Sequence, residues 1–99
     1  MSFVTAQPEA LSAAAGALRA IGSALAAQNA AAAAPTTGVM PAATDQVSIL
    51  TAAQFAAHAQ LYQQVSAQAM TIHEMFVNAL DFSSGSYAAT EAANAIATG

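Results

Sequence analysis

The stretch DQVSILTAAQFAAHAQLYQQVSAQAMTIHEMFVNALDF, Asp45 to Phe82, decides the fold. Wound at about 100° per residue, it gathers Val47, Leu50, Leu61, Val65, Ile72, Met75, Phe76 and Leu80 on one side. Phe55 and Tyr62 fall along the border of that side. About 38 residues at about 1.5 Å rise each give a rod roughly 57 Å long. An apolar face this broad on a rod this long requires more than one neighbouring helix. The chain supplies a single other long helical segment, so part of the face is expected to serve another protein.

That other segment lies upstream. Gln7 or Thr5 is placed to cap it, Pro8 suits a first turn that has no intrahelical use for its missing N–H, and Glu9 complements the positive end of the helix dipole. Leu11, Ala14, Leu18, Ile21, Leu25 and Ala32 recur at three- and four-residue steps, forming a seam with small residues that permit close helix approach. Phe3 and Val4 are expected to fold onto this helix end. Pro35 disfavours the α region for Ala34, which predicts a helix end near Ala33. Pro35-Thr36-Thr37-Gly38-Val39-Met40-Pro41 reads as a reversal, and Thr44 or Asp45 as the next cap. The fold class is therefore all-α: an antiparallel two-helix hairpin that completes an elongated four-helix bundle with a partner protein. Its expected bounds are a helix of about 8–33, a turn at 34–41 and a helix of about 44–82, making residues 1–82 the hairpin. Ser83-Ser84-Gly85-Ser86 is expected to interrupt the second helix, leaving 83–99 as a tail, a short helix or disordered. By length, the second helix would overhang the first and leave Ile72 to Leu80 without cover from its own chain.

Composition narrows the function. Of the 99 residues, 31 are alanine and 19 are Leu, Ile, Val or Phe. Alanine favours helix because it loses no side-chain entropy, but it buries little apolar area, so the isolated hairpin is expected to be marginally stable. The net charge is −4 with one basic residue, Arg19, which excludes a phosphate-neutralising nucleic-acid surface and a polybasic membrane anchor. Cysteine is absent, and with it disulfides, thiolate metal sites and a thiol nucleophile. The N-terminal residues lack the charged and apolar regions of a general secretory signal. The Ala run at 23–34 is too weakly apolar for a convincing membrane span.

Chemistry of other kinds finds no foothold. His58 lies near the middle of the apolar face and His73 near its edge, about 22 Å apart along one helix, and neither has ligand-type neighbours at i±3 or i±4. No metal, cofactor or catalytic residue is assigned. Ser83, Ser84 and Ser86 lack an elbow motif and an orienting acid. Ile49, Met70 and Val77 sit opposite the main face; singly exposed apolar residues carry little meaning, and a second contact strip, toward the partner or an envelope surface, is the alternative reading of the three together.

The opening Met-Ser-Phe-Val, Pro8-Glu9 at the head of an Ala-rich helix, Ala-Ala-Pro35-Thr36-Thr37-Gly38-Val39 followed by Pro41-Ala-Ala, and Ser86-Tyr87-Ala-Ala-Thr-Glu91 together closely resemble the mycobacterial PE family. The likeness runs over essentially the whole chain and resembles a minimal member consisting of the PE domain alone. The resemblance implies no enzyme. It implies an obligate heterodimer with a PPE-family protein, whose own helical hairpin completes the bundle through Leu11, Leu18, Ile21, Leu25 and the Val47–Leu80 face. It further implies export of the folded pair by a type VII (ESX) secretion system, with Tyr87 and Glu91 as the Tyr-X-X-X-Asp/Glu motif, and a cytosolic chaperone that grips the PPE partner. Such proteins are expected to be secreted or held at the cell surface. Peripheral envelope association affecting permeability or nutrient uptake is the alternative role that the resemblance implies, and self-association into a helical bundle is the alternative that the residues themselves leave open.

Overall fold

The computed structural model of the chain describes residues 7–99. It is an antiparallel hairpin of two helices, α1 (Pro8–Thr37) and α2 (Gln46–Thr98), measuring 80 × 23 × 16 Å. A single helix with its side chains is about 10–12 Å across. The two shorter dimensions therefore hold two helices lying side by side, with no third element over either broad face among the described residues.

The seam between the helices is made of small residues. On α2 the covered positions run Ala52, Ala56, Ala59, Gln63, Ser66, Met70, His73, Val77, Leu80 and Ser84, in alternating steps of four and three. On α1 they are Pro8, Leu11, Ala15, Leu18, Gly22, Asn29 and Ala32. This is a heptad pattern in which Ala15, Gly22, Ala32, Ala52, Ala56 and Ala59, each a methyl group or less, alternate with larger residues and permit close approach of the helices. Ala15 is fully buried and Val77 is 2% exposed. Three polar bonds fix the register: the Ser84 hydroxyl donates to the Pro8 carbonyl (2.7 Å), His73 Nε2 meets the Leu18 carbonyl (2.8 Å), and Gln63 Nε2 donates to the Asn29 carbonyl (3.2 Å). The Tyr62 hydroxyl adds a bond to Asn29 Oδ1 at 2.9 Å, and Arg19 Nη2 pairs with Asp81 Oδ2 at 2.8 Å. The ion pair is half exposed at both ends and contributes little. Gly22 is required where it stands, because a Cβ there would lie 2.8 Å from His73 Nε2 and 2.9 Å from its Cδ2.

The helix bounds differ from the expected ones at three places. α1 passes Ala33 and runs through Pro35 to Thr37. Proline removes one hydrogen bond there, but only two residues follow it, and the Thr36 and Thr37 hydroxyls bond back to the Ala32 and Ala33 carbonyls at 2.6 Å each. The Gly38 N–H closes the turn onto the Ala34 carbonyl. At its start, Gln7 occupies the N-cap position without a side-chain cap bond, and Thr5, Phe3 and Val4 fall outside the described residues. α2 does not stop at Phe82 but continues through Ser83-Ser84-Gly85-Ser86 to Thr98. The serines there do not compete with the helix as breakers. Ser84 is buried and spends its hydroxyl on α1, and the single glycine, Gly85, costs only about 1 kcal/mol relative to alanine. The overhang is displaced as a result. α1 begins beside Ser84, so intrachain cover reaches past Leu80, and among the described residues the end of α2 that outruns α1 is residues 85–98, with Ala88 still beside Pro8 and Glu9. The connection from Gly38 to Asp45 makes this possible by running back along α2, where Val39, Met40 and Ala42 line a cleft with Val47, Thr51 and Phe55.

Asp45 caps α2, its carboxylate accepting from the Ser48 N–H and hydroxyl at 2.9 Å each. The bond from the Ser48 N–H, then that from its hydroxyl, holds the Asp45 carboxyl below its ordinary value of 3.8. A carboxyl with a lowered folded-state value stabilises the fold fully above its unfolded value and loses that contribution as pH falls through the folded one. Asp45→Ala is therefore expected to lower the thermal unfolding midpoint at pH 7, with the gap between variant and parent closing as the pH is taken below about 4. Circular dichroism melts across that range check the sign. The same assay separates the glycines. Gly16→Ala, with nothing within 4 Å of its added methyl, is expected to stabilise by about 0.5–1 kcal/mol, and Gly22→Ala to destabilise despite the same gain in helix propensity.

Candidate partner interface

Packing the small residues inward turns the large ones outward. Phe55 is 63% exposed, Ile72 67% and Phe76 58%, and Val47, Leu50, Leu61, Tyr62, Val65 and Met75 are exposed to a similar degree. From α1, Ile21 and Leu25 are exposed as well. The structure thus separates the residues expected at the partner surface into two groups. Leu11, Leu18 and Leu80 are partly covered within the hairpin seam, and the remainder stand in solvent.

Register assigns directions to the exposed set. On α2, Phe55, Tyr62 and Phe76 recur at multiples of seven on one flank of the seam. On α1, Ile21 lies two heptads before Pro35, and Leu25 one heptad before Ala32. Pro35 and Ala32 line a cleft of about 430 Å³ together with Phe55, His58, Ala59 and Tyr62, so both helices contribute apolar side chains to this flank. The opposite flank is polar: Arg19, Ser23, Glu74 and Asn78 line its groove along with Gly22 and His73. One flank of the hairpin is therefore greasy and the other hydrated. An apolar strip of this length, rimmed by polar residues, marks an interaction surface, for a protein, a membrane or an apolar ligand.

Met70 and Val77 do not belong to a second exterior strip. Both sit in the intrachain seam, Val77 buried and the Met70 terminal carbon 3.5 Å from the place of a Gly22 Cβ. Ile49 is half exposed at the end of the seam near the connection. Sequence reading missed this because it ranked faces by apolar size. The face that closed is the one whose small residues allow backbone approach, and the regular four-three spacing of Ala52, Ala56 and Ala59 was its signal.

His73 is engaged by the Leu18 carbonyl, and His58 lies in the apolar cleft beside Phe55 and Tyr62. Among the described residues no cluster of three His, Cys, Asp or Glu side chains is placed to hold a metal ion. α1 includes an 18-residue window of mean hydropathy 1.4, long and apolar enough by length and composition to cross a membrane. That value comes largely from alanine, whose single methyl buries little area, and the helix carries Arg19 bonded to α2.

Tyr87 and Glu91 lie on the unaccompanied end of α2, both exposed and one helical turn apart on the same side. Tyr87 follows Leu80 by seven residues and Glu91 follows Ser84 by seven. Both thus prolong the rows that meet α1, beyond the point where α1 begins at Pro8. Glu9 is exposed in the first turn of α1, and Pro8 and Glu9 line a shallow cleft with Ser12, Ser84 and Ala88.

The fold and its surface define a helical-hairpin protein that closes on its small residues and leaves an apolar flank uncovered. Residues 4–94 match the PE family, to which the chain belongs. It is 64% identical over 97 residues to the PE family protein PE13 of Mycobacterium tuberculosis strain H37Rv, covering 98% of each chain. From the same strain, PE family protein PE8 is 58% identical over 98% of this chain and 35% of its own length. PE-PGRS family protein PE_PGRS8 is 60% identical over 96% of this chain and 54% of its own. The chain therefore spans about a third of PE8 and about half of PE_PGRS8.

The exposed flank is expected to reveal itself in the unpartnered chain through binding of an apolar dye. Phe76→Ser and Phe55→Ser are each expected to reduce that fluorescence without lowering helicity, since neither side chain is buried in the hairpin. Dye titration beside circular dichroism checks this.

Proposed function

We propose that the protein acts without catalysis as one half of a heterodimer with a PPE-family protein, and that the pair is exported folded through a type VII secretion system. The observation that carries the reading is the two-helix apolar flank, Ile21 and Leu25 beside Phe55, Tyr62 and Phe76, left in solvent by the hairpin. A second helical hairpin laid on this flank makes a four-helix bundle with these residues at its centre. The cleft between Pro35, Phe55 and Tyr62 suits a large apolar side chain of the partner, the kind of pocket where binding energy concentrates.

In this reading Tyr87 and Glu91 carry the export signal. Their support is position: a phenol and a carboxylate four residues apart on a helix present one face, on a part of α2 that α1 does not accompany. A receptor reaches them without disturbing the bundle, and the cytosolic chaperone acts through the PPE protein. The exported pair then resides outside the cytoplasm or at the cell surface.

Co-expression with candidate PPE proteins tests the pairing, scored by which one renders this chain soluble and co-purifies with it. Phe76→Asp is expected to weaken that complex at least about tenfold, equivalent to about 1.4 kcal/mol. A complex unaffected by charge at Phe76 and Phe55 overturns the interface. Tyr87→Ala and Glu91→Ala are each expected to abolish export while leaving co-purification intact, and normal secretion of both variants refutes the signal.

A further inference from the structure

Filling the flank of Phe55, Tyr62 and Phe76 brings a second row of α2 under cover. Thr51, His58, Val65, Ile72 and Ala79 recur every seven residues and interleave with Phe55, Tyr62, Ala69 and Phe76, so the two rows together step by four and three from Thr51 to Ala79. That is the spacing of the seam with α1, turned about a quarter of the way round the helix. In a four-helix bundle each helix meets two neighbours about a quarter turn apart. On the heterodimer reading above, on which this inference rests, these positions are therefore the seam between α2 and a partner helix. All of them are exposed in the hairpin.

Three of these side chains are polar, and they differ in what they have already spent. The Tyr62 hydroxyl donates to Asn29 Oδ1 and the Thr51 hydroxyl to the Val47 carbonyl, while the other imidazole of the chain, His73, meets the Leu18 carbonyl. Among the described residues the His58 ring has no such bond. Its surroundings are apolar or uncharged. α1 and the connection bring Pro35, Thr36 and Val39 to it, and α2 brings Gln54, Phe55 and Tyr62. Of the residues lining the clefts on either side of it, Tyr62 is the one other titratable group and none is charged. No Asp, Glu, Lys or Arg lies between Asp45 and Glu74, which are about 20 and 24 Å from His58 along the helix.

A polar side chain that a partner covers must find its hydrogen bonds in the partner or lose them. Histidine is the side chain that ordinarily changes charge between pH 5 and 8, and burial among apolar groups disfavours its charged form. A partner carboxylate would keep the charge only as an ion pair taken out of water, whose desolvation offsets its attraction. The neutral ring is satisfied instead by an uncharged side chain that gives or accepts a hydrogen bond, and one polar residue in an otherwise apolar seam fixes pairing and register. We infer that His58 is the specificity-determining residue of the partner interface: the complex holds it neutral, requires an uncharged hydrogen-bonding side chain opposite it on the partner helix, and loosens when acid charges it. A ring whose charged form is disfavoured in the complex takes its proton more readily in the free chain. Association is therefore undiminished above the ordinary histidine value and weakens as pH falls below it.

The test uses the full chain in complex with the PPE protein that co-purifies with it. Its dissociation constant is expected to rise about tenfold from pH about 7.5 to pH about 5.5, which is one unit below the ordinary histidine value of about 6.5. His58→Gln, at a position exposed in the hairpin, keeps a hydrogen-bonding group without the charge. It is expected to bind comparably at the higher pH and to lose that rise. In the parent, the His58 ring resonances are expected to move more between the two pH values in the free chain than in the complex, a measurement that decides the matter even if His58→Gln fails to bind. Equal pH dependence of parent and His58→Gln, or equal movement of the ring resonances in free chain and complex, overturns the inference and leaves the heterodimer standing. A parent complex that tightens in acid does the same, since it sets a carboxylate against His58. Failure of every PPE protein to bind, or indifference of the complex to Phe76→Asp, overturns the heterodimer and this inference with it.

Discussion

Everything about this molecule follows from the close approach of two helices along a line of alanine, glycine and serine. Ala15, Gly22, Ala52, Ala59 and Ser84 occupy the places where a soluble hairpin ordinarily keeps leucine. A helix has only so much circumference. When its small residues are turned toward the neighbouring helix, the large residues interleaved with them have nowhere to go but outward. Phe55, Tyr62 and Phe76 are exposed because Ala52, Ala59 and Val77 are buried.

The seam is weak in hydrophobic terms and specific in polar ones. Alanine methyls, one buried valine and the partly covered Leu11, Leu18, Met70 and Leu80 remove less apolar area from water than a fully buried leucine core. Register is fixed instead by hydrogen bonds at its two ends and centre: Ser84 to Pro8, His73 to Leu18, and Gln63 and Tyr62 to Asn29. Among the described residues no buried side-chain nitrogen or oxygen lacks a partner. Three of these bonds end on backbone carbonyls, which recur along the helix, so the register-specific features are the Tyr62–Asn29 side-chain bond and the place of Gly22 beneath the His73 ring. A slip by one heptad carries Tyr62 away from Asn29 and His73 away from Gly22.

The helical class, the reversal near Gly38, the cap at Asp45 and the existence of an apolar surface larger than the chain can cover were all legible in the sequence. They depend on local chemistry: alanine propensity, breaker residues, a carboxylate three residues ahead of an amide, and periodicity. What was not legible depended on packing. Pro35 reads as a stop, but with only Thr36 and Thr37 after it the helix gives up a single backbone bond and continues to its end. The run Ser83-Ser84-Gly85-Ser86 reads as a break, but its one buried member is bonded to the other helix. Met70 and Val77 look like an exterior strip because size alone does not reveal which face will close. Ser84 has its partner 76 positions away, and Met70 and Val77 line a groove with Arg19 and Gly22 of the other helix, which no local preference encodes.

The uncovered flank also explains how such a chain could couple assembly to order. A hairpin whose own seam contributes little apolar burial has a small stability of its own, and any protein that binds only the folded form adds to it in proportion to the logarithm of its concentration over its dissociation constant. A partner at a hundred times that constant contributes about 2.7 kcal/mol, a large fraction of a small domain's stability. The end of α2 from Gly85 to Thr98 stands at the far side of this coupling. Its rows continue those that α1 occupies, but the described part of α1 begins at Pro8 and does not accompany them. Its orientation is set by the continuous helix behind it, so whatever holds the seam in register also fixes where Tyr87 and Glu91 point.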